Sequence, residues 1–153
     1  MTDGASPGHD QRQAYRTARV LHAVAGALIG INVLTGWHLD RFPTEQRDIL
    51  VMAHAGFGLS ILALMFVRWW WRKKHKLYAH EGWYRRPALL LQWIFYPLVI
   101  VQALLGFSHS VFIDHDVRAF GLLNISALAE SNSDIHALLF GAHSLVAGLL
   151  LML

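Results

Sequence analysis

Four apolar blocks constrain the fold of this chain more than any other feature. The blocks are Val20–Trp37, Ile49–Trp71, Ala88–Phe107 and Ile135–Leu153. Each can cross a bilayer core of about 30 Å as a helix, which takes roughly 17–25 residues. Backbone groups in lipid have to bond within the protein, so only helices and closed barrels span it. Since no alternation of period two favours a barrel, the sequence predicts an all-α transmembrane four-helix bundle in one domain.

The distribution of basic residues predicts how these helices are oriented. Three arginines lie within residues 1–19, and seven of the thirteen Lys and Arg residues lie near or in the segment that joins the second and third blocks. Those seven are Arg68, Arg72, Lys73, Lys74, Lys76, Arg85 and Arg86. The positive-inside rule therefore places the N-terminus and the 72–87 segment in the cytoplasm. We expect a mobile cytoplasmic tail at 1–19, a membrane domain at 20–153, and a basic segment that contacts membrane lipid and no nucleic acid.

The opposite side of the predicted bundle is acidic. Its connections carry seven carboxylates and only three arginines. The carboxylates belong to Asp40, Glu45, Asp48, Asp114, Asp116, Glu130 and Asp134. A surface of this sign attracts a basic partner and repels an anion.

Histidine is the residue available to hold a redox centre, because the chain has no cysteine. That absence excludes cysteine-held iron–sulfur clusters, thiolate-ligated haem, covalently attached haem and disulfides. Four of the ten histidines lie in or at the edge of an apolar block, namely His22, His54, His136 and His143. An ionisable side chain at membrane depth is costly and indicates a functional site.

Three of these histidines are followed by a small residue four positions later. The pairs are His22 with Gly26, His54 with Gly58, and His143 with Ala147. Positions i and i+4 share a helix face, so each ring has a flat slot beside it, and haem is a flat ligand that suits such a slot. His136 is instead followed by the bulky Phe140. One such pair alone would indicate helix packing, whereas three on three helices favour a ligand.

Depth in the membrane pairs two of the histidines. His54 and His143 lie on helices that run in the same direction, each about one to two turns from the acidic side at 1.5 Å per residue. They can therefore bind one iron from opposite faces. His22 lies roughly 20 Å away by the same rise, without a histidine at matching depth. Because the last block stops at Leu153 without a basic flank, we expect a truncated fourth helix, with the second ligand for His22 beyond it.

Three segments carry a resemblance to a known family. The second block carries it through His54, Gly58, Ser60-Ile61-Leu62, Leu64-Met65, Val67-Arg68 and Arg72. The start of the first block carries it through Arg19-Val20-Leu21-His22. The last connection carries it through Ala119-Phe120-Gly121-Leu122. In these segments the chain resembles the prokaryotic cytochrome b561 family, four-helix dihaem b-type cytochromes of bacterial inner membranes. The resemblance runs from about Tyr15 to the end of the chain.

The resemblance implies two sites for haem b. One lies near the periplasm and is held by His54 and His143. The other lies near the cytoplasm and is held by His22 and a fourth-helix histidine some two turns past Leu153. Arg68 and Arg72 are candidates for binding the haem propionates, because arginine holds carboxylates through paired hydrogen bonds. The alternative for both arginines is contact with lipid phosphates.

Two six-coordinate haems imply electron transfer rather than substrate chemistry at iron. The expected function is the transfer of single electrons between the membrane quinone pool and a periplasmic donor or acceptor, such as a c-type cytochrome. The resemblance leaves open a stand-alone oxidoreductase, which in some members oxidises superoxide, and a membrane subunit of a periplasmic dehydrogenase or hydrogenase. The acidic outer surface disfavours superoxide, which is an anion.

The alternative from another class is a histidine-based metal-ion transporter. A transport path needs acidic or polar side chains at mid-membrane. The blocks supply little for such a path beyond Asn32, Ser60 and Gln102.

Overall fold

The computed structural model of the chain describes residues 7–37, 39–75 and 85–153. Within these residues the chain forms four long helices, α1 (Pro7–Gly36), α2 (Thr44–His75), α3 (Arg85–Val111) and α4 (Ser133–Met152). Each contains a stretch that is long and apolar enough to cross a membrane. The prediction of a mainly helical chain with four candidate spans is confirmed.

The helices are longer than the apolar blocks that predicted them. α1 begins at Pro7, so residues 10–19, expected to belong to a mobile tail, are helical, and Ala14 is buried. Proline suits a first turn, where its missing N–H has no helical partner. α2 likewise continues beyond its apolar block, and the basic residues in its last turn complement the negative end of the helix dipole. Apolar length measures only the part of a helix that faces lipid.

Helices that are consecutive in the chain pack against each other, α1 on α2, α2 on α3, and α3 on α4. The centre of the packing is formed by Ile61 and Met65 of α2 with Val99 of α3. Many large apolar side chains point outward, with Leu34 77% exposed and Leu138 74% exposed. Lipid tails are as apolar as leucine, so this surface carries no penalty in a membrane.

The two ends of the bundle carry different chemistry. The basic end comprises the start of α1 and the end of α2, with Arg12, Arg16, Arg19, Arg72, Lys73 and Lys74. The hairpin end comprises the connections from α1 to α2 and from α3 to α4. The first of these contains a short 3₁₀ turn at Leu39–Arg41. The second contains strands β1 (Arg118–Ala119) and β2 (Leu123–Asn124), paired antiparallel, and a 3₁₀ turn at Ser126–Leu128.

The turn of the β-hairpin docks on α2 beside His54. The backbone N–H of Phe120 donates to the carbonyl oxygen of Met52 over 3.2 Å. The Phe120 ring covers Gly56, where a Cβ would lie 2.5 Å from the ring. Phe120 and Gly121 have φ values of 49° and 72°, the left-handed pair that a type I′ turn requires. Strands of two residues are too short to produce an alternating pattern, so nothing in the sequence predicts them.

Candidate functional site

His54 lies on α2 and is held in place by α1. Its Nδ1 lies 2.9 Å from the backbone carbonyl oxygen of Asn32. A carbonyl oxygen only accepts, so Nδ1 carries the proton and Nε2 keeps its lone pair. A Cβ on Gly36 would lie 2.5 Å from Cε1 of His54. Because a helical carbonyl points toward the residue four positions later, glycine at position 36 leaves the Asn32 carbonyl open to the imidazole.

His143 lies on α4 and is held by α3 in the same way. Its Nδ1 lies 3.1 Å from the backbone carbonyl oxygen of Gln102. A Cβ on Gly106 would lie 2.8 Å from Cε1 of His143. An amide residue followed four positions later by glycine therefore supports both histidines, each time from the preceding helix. In both cases the backbone bond fixes the proton on Nδ1, which is the usual support of a metal-ligating histidine.

The rings of the two histidines lie close together between α2 and α4. Their ring centroids are 6.2 Å apart and their planes are at 85°. A metal lies about 2 Å from a bound imidazole nitrogen, so two imidazoles on opposite sides of one ion have centroids roughly 6 Å apart. The separation of His54 and His143 therefore matches the separation that a shared iron requires.

The Nε2 atoms of the two histidines have different surroundings. Nε2 of His143 accepts a hydrogen bond from the side-chain amide of Gln102, over 3.2 Å. No hydrogen bond reaches Nε2 of His54 from the described part of the chain. His143 would bind a metal only after the Gln102 side chain turns away, whereas His54 is already open.

Buried polar atoms without partners surround this pair. Within the described residues, Oδ1 of Asn32, Oε1 of Gln102 and Nδ1 of His109 are buried and form no hydrogen bond. Native proteins pair nearly all such atoms, and an unpaired one costs about 1–3 kcal/mol. Three of them lie beside one histidine pair, so this part of the bundle carries an unusual polar cost within the membrane-spanning helices.

Two further histidines extend the cluster toward the hairpin end. The His109 ring lies 5.3 Å from that of His143 and 5.4 Å from that of His136. Nδ1 of His136 donates to the backbone carbonyl oxygen of His109 over 2.9 Å, and Phe140 stacks on the His136 ring. His109 was not among the histidines that the sequence placed in or at the edge of an apolar block, but α3 extends to Val111 and includes it. Its position two residues after Phe107, the end of the third apolar block, was the available signal.

The small residues that were predicted to make slots have other neighbours. A Cβ on Gly58 would lie 3.8 Å from Nδ2 of Asn32, which is ordinary contact, so the face beside His54 is covered by an amide. Ala147 is half-buried in α4. The glycines that make room for the imidazoles, Gly36 and Gly106, lie on the neighbouring helices and were not predicted.

His22 lies apart from this cluster, toward the basic end. Its side chain is exposed, and a Cβ on Gly26 or Gly30 would meet nothing within 4 Å, so the predicted strip along α1 is open. His22 interacts electrostatically with Arg68 and Arg72 of α2. The Arg68 guanidinium also lies over the Tyr96 ring, 5.2 Å from its centroid. The structure thus groups three of the predicted residues at this second location.

Larger clusters of metal-ligating side chains are not formed by the residues that the structure describes. Within 7–37, 39–75 and 85–153, no group of three or more His, Asp or Glu side chains could hold a metal ion. In comparisons with known proteins, the chain matches no protein-family model and no curated protein. The resemblance to the cytochrome b561 family accordingly rests on the quoted residues alone.

Proposed function

We propose that this chain is a b-type membrane cytochrome similar to the prokaryotic cytochrome b561 family, and that it transfers single electrons. His54 and His143 bind one haem iron near the hairpin end. The observation that carries the proposal is the close pair of imidazoles, with centroids 6.2 Å apart and each with Nδ1 bonded to a backbone carbonyl. Haem supplies one-electron chemistry when bound.

The residues around the pair suit an electron-transfer site rather than a substrate site. Bonds from Nδ1 to the carbonyls of Asn32 and Gln102 fix the ring orientations and make each imidazole a stronger ligand. A haem held by both His54 and His143 would supply one-electron transfer rather than substrate chemistry. Phe120 covers α2 at Gly56, two residues after His54, and so packs the hairpin against this part of the site.

A second haem would lie against His22, nearer the basic end. The open strip at Gly26 and Gly30 gives a flat ligand room, and the positive charges of Arg68 and Arg72, which act on His22, would attract its propionates. No imidazole contacts the His22 ring within the described residues, so this site needs a further ligand. By the positive-inside rule the basic end faces the cytoplasm of a bacterial inner membrane.

The electron partners follow from location and charge. One haem at each level of the membrane would carry electrons between a quinone in the bilayer and a partner at the hairpin end. The carboxylates there favour a basic protein such as a c-type cytochrome. The same surface also suits a membrane subunit that docks a periplasmic dehydrogenase or hydrogenase.

Haem content tests the proposal. The protein is purified from membranes, its reduced-minus-oxidised spectrum is recorded, and haem is counted per chain. We expect a low-spin b-type spectrum, loss of one haem in His54→Ala and in His143→Ala, and no loss in His115→Ala, whose ring is exposed. A folded, membrane-inserted protein that binds no haem would overturn the proposal and favour histidine-based metal transport.

A further inference from the structure

The first turns of α1 form a basic groove that the proposed electron transfer does not use. Arg12, Arg16 and Arg19 follow one another at helical spacing, so their side chains share a face of α1. Together with Tyr15 they line an open, shallow groove on the surface of α1. We call these four residues the arginine groove.

A hydrogen bond between helices fixes the depth of this groove. The indole N–H of Trp71 donates to the backbone carbonyl oxygen of Ala14 over 3.2 Å. Trp71 ends a run of three tryptophans, and tryptophan concentrates where a membrane meets water. Ala14 is therefore at the level of the lipid headgroups. Arg12 and Arg16 lie within one turn of it on either side, and Arg19 lies about 8 Å from it at 1.5 Å per residue.

Among the described residues, no carboxylate forms an ion pair with Arg12, Arg16 or Arg19 within 4 Å. The described part of the chain contains two ion pairs within 4 Å, and both lie at the hairpin end. Two other cations of the basic end lie over aromatic rings. Nζ of Lys73 is 4.4 Å from the centre of the Trp69 ring, and Nζ of Lys74 is 5.0 Å from that of Trp70. Three clustered guanidinium groups at headgroup level therefore favour the binding of an anion from outside the protein.

We propose that the arginine groove binds the headgroup of an anionic phospholipid from the adjacent leaflet. Guanidinium groups form paired hydrogen bonds with phosphate oxygens, which an ammonium group does not. Three guanidiniums within two turns match a headgroup with two phosphates, as in cardiolipin, better than a headgroup with one. α1 continues from the groove into the region where the acyl chains lie, and its apolar residue Val20 is 61% exposed there.

Charge-matched variants test the groove. Arg12→Gln/Arg16→Gln removes two charges from the groove, and Lys73→Gln/Lys74→Gln removes two charges from the neighbouring helix at the same end. The apparent affinity for cardiolipin is measured in phosphatidylcholine nanodiscs by native mass spectrometry. Each basic residue at a membrane surface is worth about five-fold in affinity, so the arginine variant should lose on the order of 25-fold. The lysine variant should lose less than about five-fold.

Several outcomes would overturn the proposal. Equal losses in the two variants would show that only the summed charge of the basic end matters. Competition by millimolar inorganic phosphate would show a site for a free anion, and equal binding of phosphatidylcholine would show no selectivity for anionic lipid. Arg12→Lys/Arg16→Lys keeps the charge and the helix but loses the paired bonds, so it should weaken binding several-fold. None of these readouts depends on haem, so the outcome is independent of the proposed function.

Discussion

The two halves of the bundle, α1 with α2 and α3 with α4, each hold a histidine by the same backbone contact. They differ in what surrounds Nε2 of that histidine. In each half an imidazole Nδ1 bonds to a backbone carbonyl one helix back, and a glycine four residues after that carbonyl makes the room. In the first half Nε2 of His54 is open. In the second half Gln102 donates to Nε2 of His143, and two more histidines lie nearby. The support of the imidazole is thus the same in both halves, whereas the access to its Nε2 differs.

Substitution of Gly36 or Gly106 should have the largest effect, because both halves depend on a glycine to make room for the imidazole. Gly36→Ala would push a Cβ to 2.5 Å from His54, and Gly106→Ala one to 2.8 Å from His143. Overpacking of this kind costs about 1–3 kcal/mol. We therefore expect haem affinity at the hairpin-end site to fall by about ten-fold or more in both variants, which a haem titration measures.

Matched glycines serve as controls for this prediction. A Cβ on Gly30 of α1 or on Gly148 of α4 would meet nothing within 4 Å. Gly30→Ala and Gly148→Ala should keep the haem of the hairpin-end site. If they lost it as readily as the other two variants, the loss would come from a general change in the helices and not from the imidazole support.

His109 sharpens the contrast between the halves, because α1 and α2 have no counterpart to it. Its buried Nδ1 has no hydrogen-bond partner, which costs about 1–3 kcal/mol. His109→Phe should raise the thermal midpoint of the haem-free protein, measured by circular dichroism. His136→Phe removes the bond from Nδ1 to the His109 carbonyl and should lower the midpoint. Equal shifts in the two variants would contradict the inference that Nδ1 of His109 lacks a partner.

Gln102 tests the difference in access directly. Its amide occupies Nε2 of His143, and a hydrogen bond of this kind is worth about 0.5–1.5 kcal/mol net. Gln102→Ala should therefore tighten haem binding by up to about ten-fold in equilibrium titration. Asn32→Ala, its counterpart on α1, should not tighten binding, since the Asn32 side chain does not bond Nε2 of His54. Weaker binding in Gln102→Ala would show that the amide supports the bound group.

The smallest effect is expected for two aspartates, Asp114 and Asp116, in the connection between α3 and α4. A hydrogen bond from Arg118 lowers the pKa of Asp116, and one from His115 lowers the pKa of Asp114. Each carboxylate therefore favours the folded state above the ordinary Asp pKa of about 4, and this contribution is lost as the pH falls through the lowered pKa. Both side chains are exposed, so the effect on stability is small. Arg118→Ala should raise the pKa of Asp116 and leave that of Asp114 unchanged, which a carboxyl NMR titration would detect.

Hydropathy predicts the spans well and their ends poorly. Continuous apolar sequence is what a lipid-facing helix requires, so four blocks identify four helices. The headgroup region tolerates charge, so α1 extends back to Pro7 and α3 forward to Val111 without an apolar signal. The second of these extensions brings His109 into the cluster.

The depth argument anticipated that His54 and His143 lie at one level, because rise per residue is fixed. It did not anticipate their support. The sequence pattern, an amide residue and a glycine four positions later, is present at Asn32 and Gly36 and at Gln102 and Gly106. Its meaning depends on which helices are neighbours, which periodicity within a single helix does not reveal.

The most direct test of the account is whether His54 and His143 bind the same haem. Haem is counted per chain in His54→Ala, in His143→Ala and in the double variant. A shared iron predicts that each single variant loses the same haem, with the same spectral band, and that the double variant loses no more. Loss of two different haems in the single variants, both absent from the double variant, would contradict the pairing.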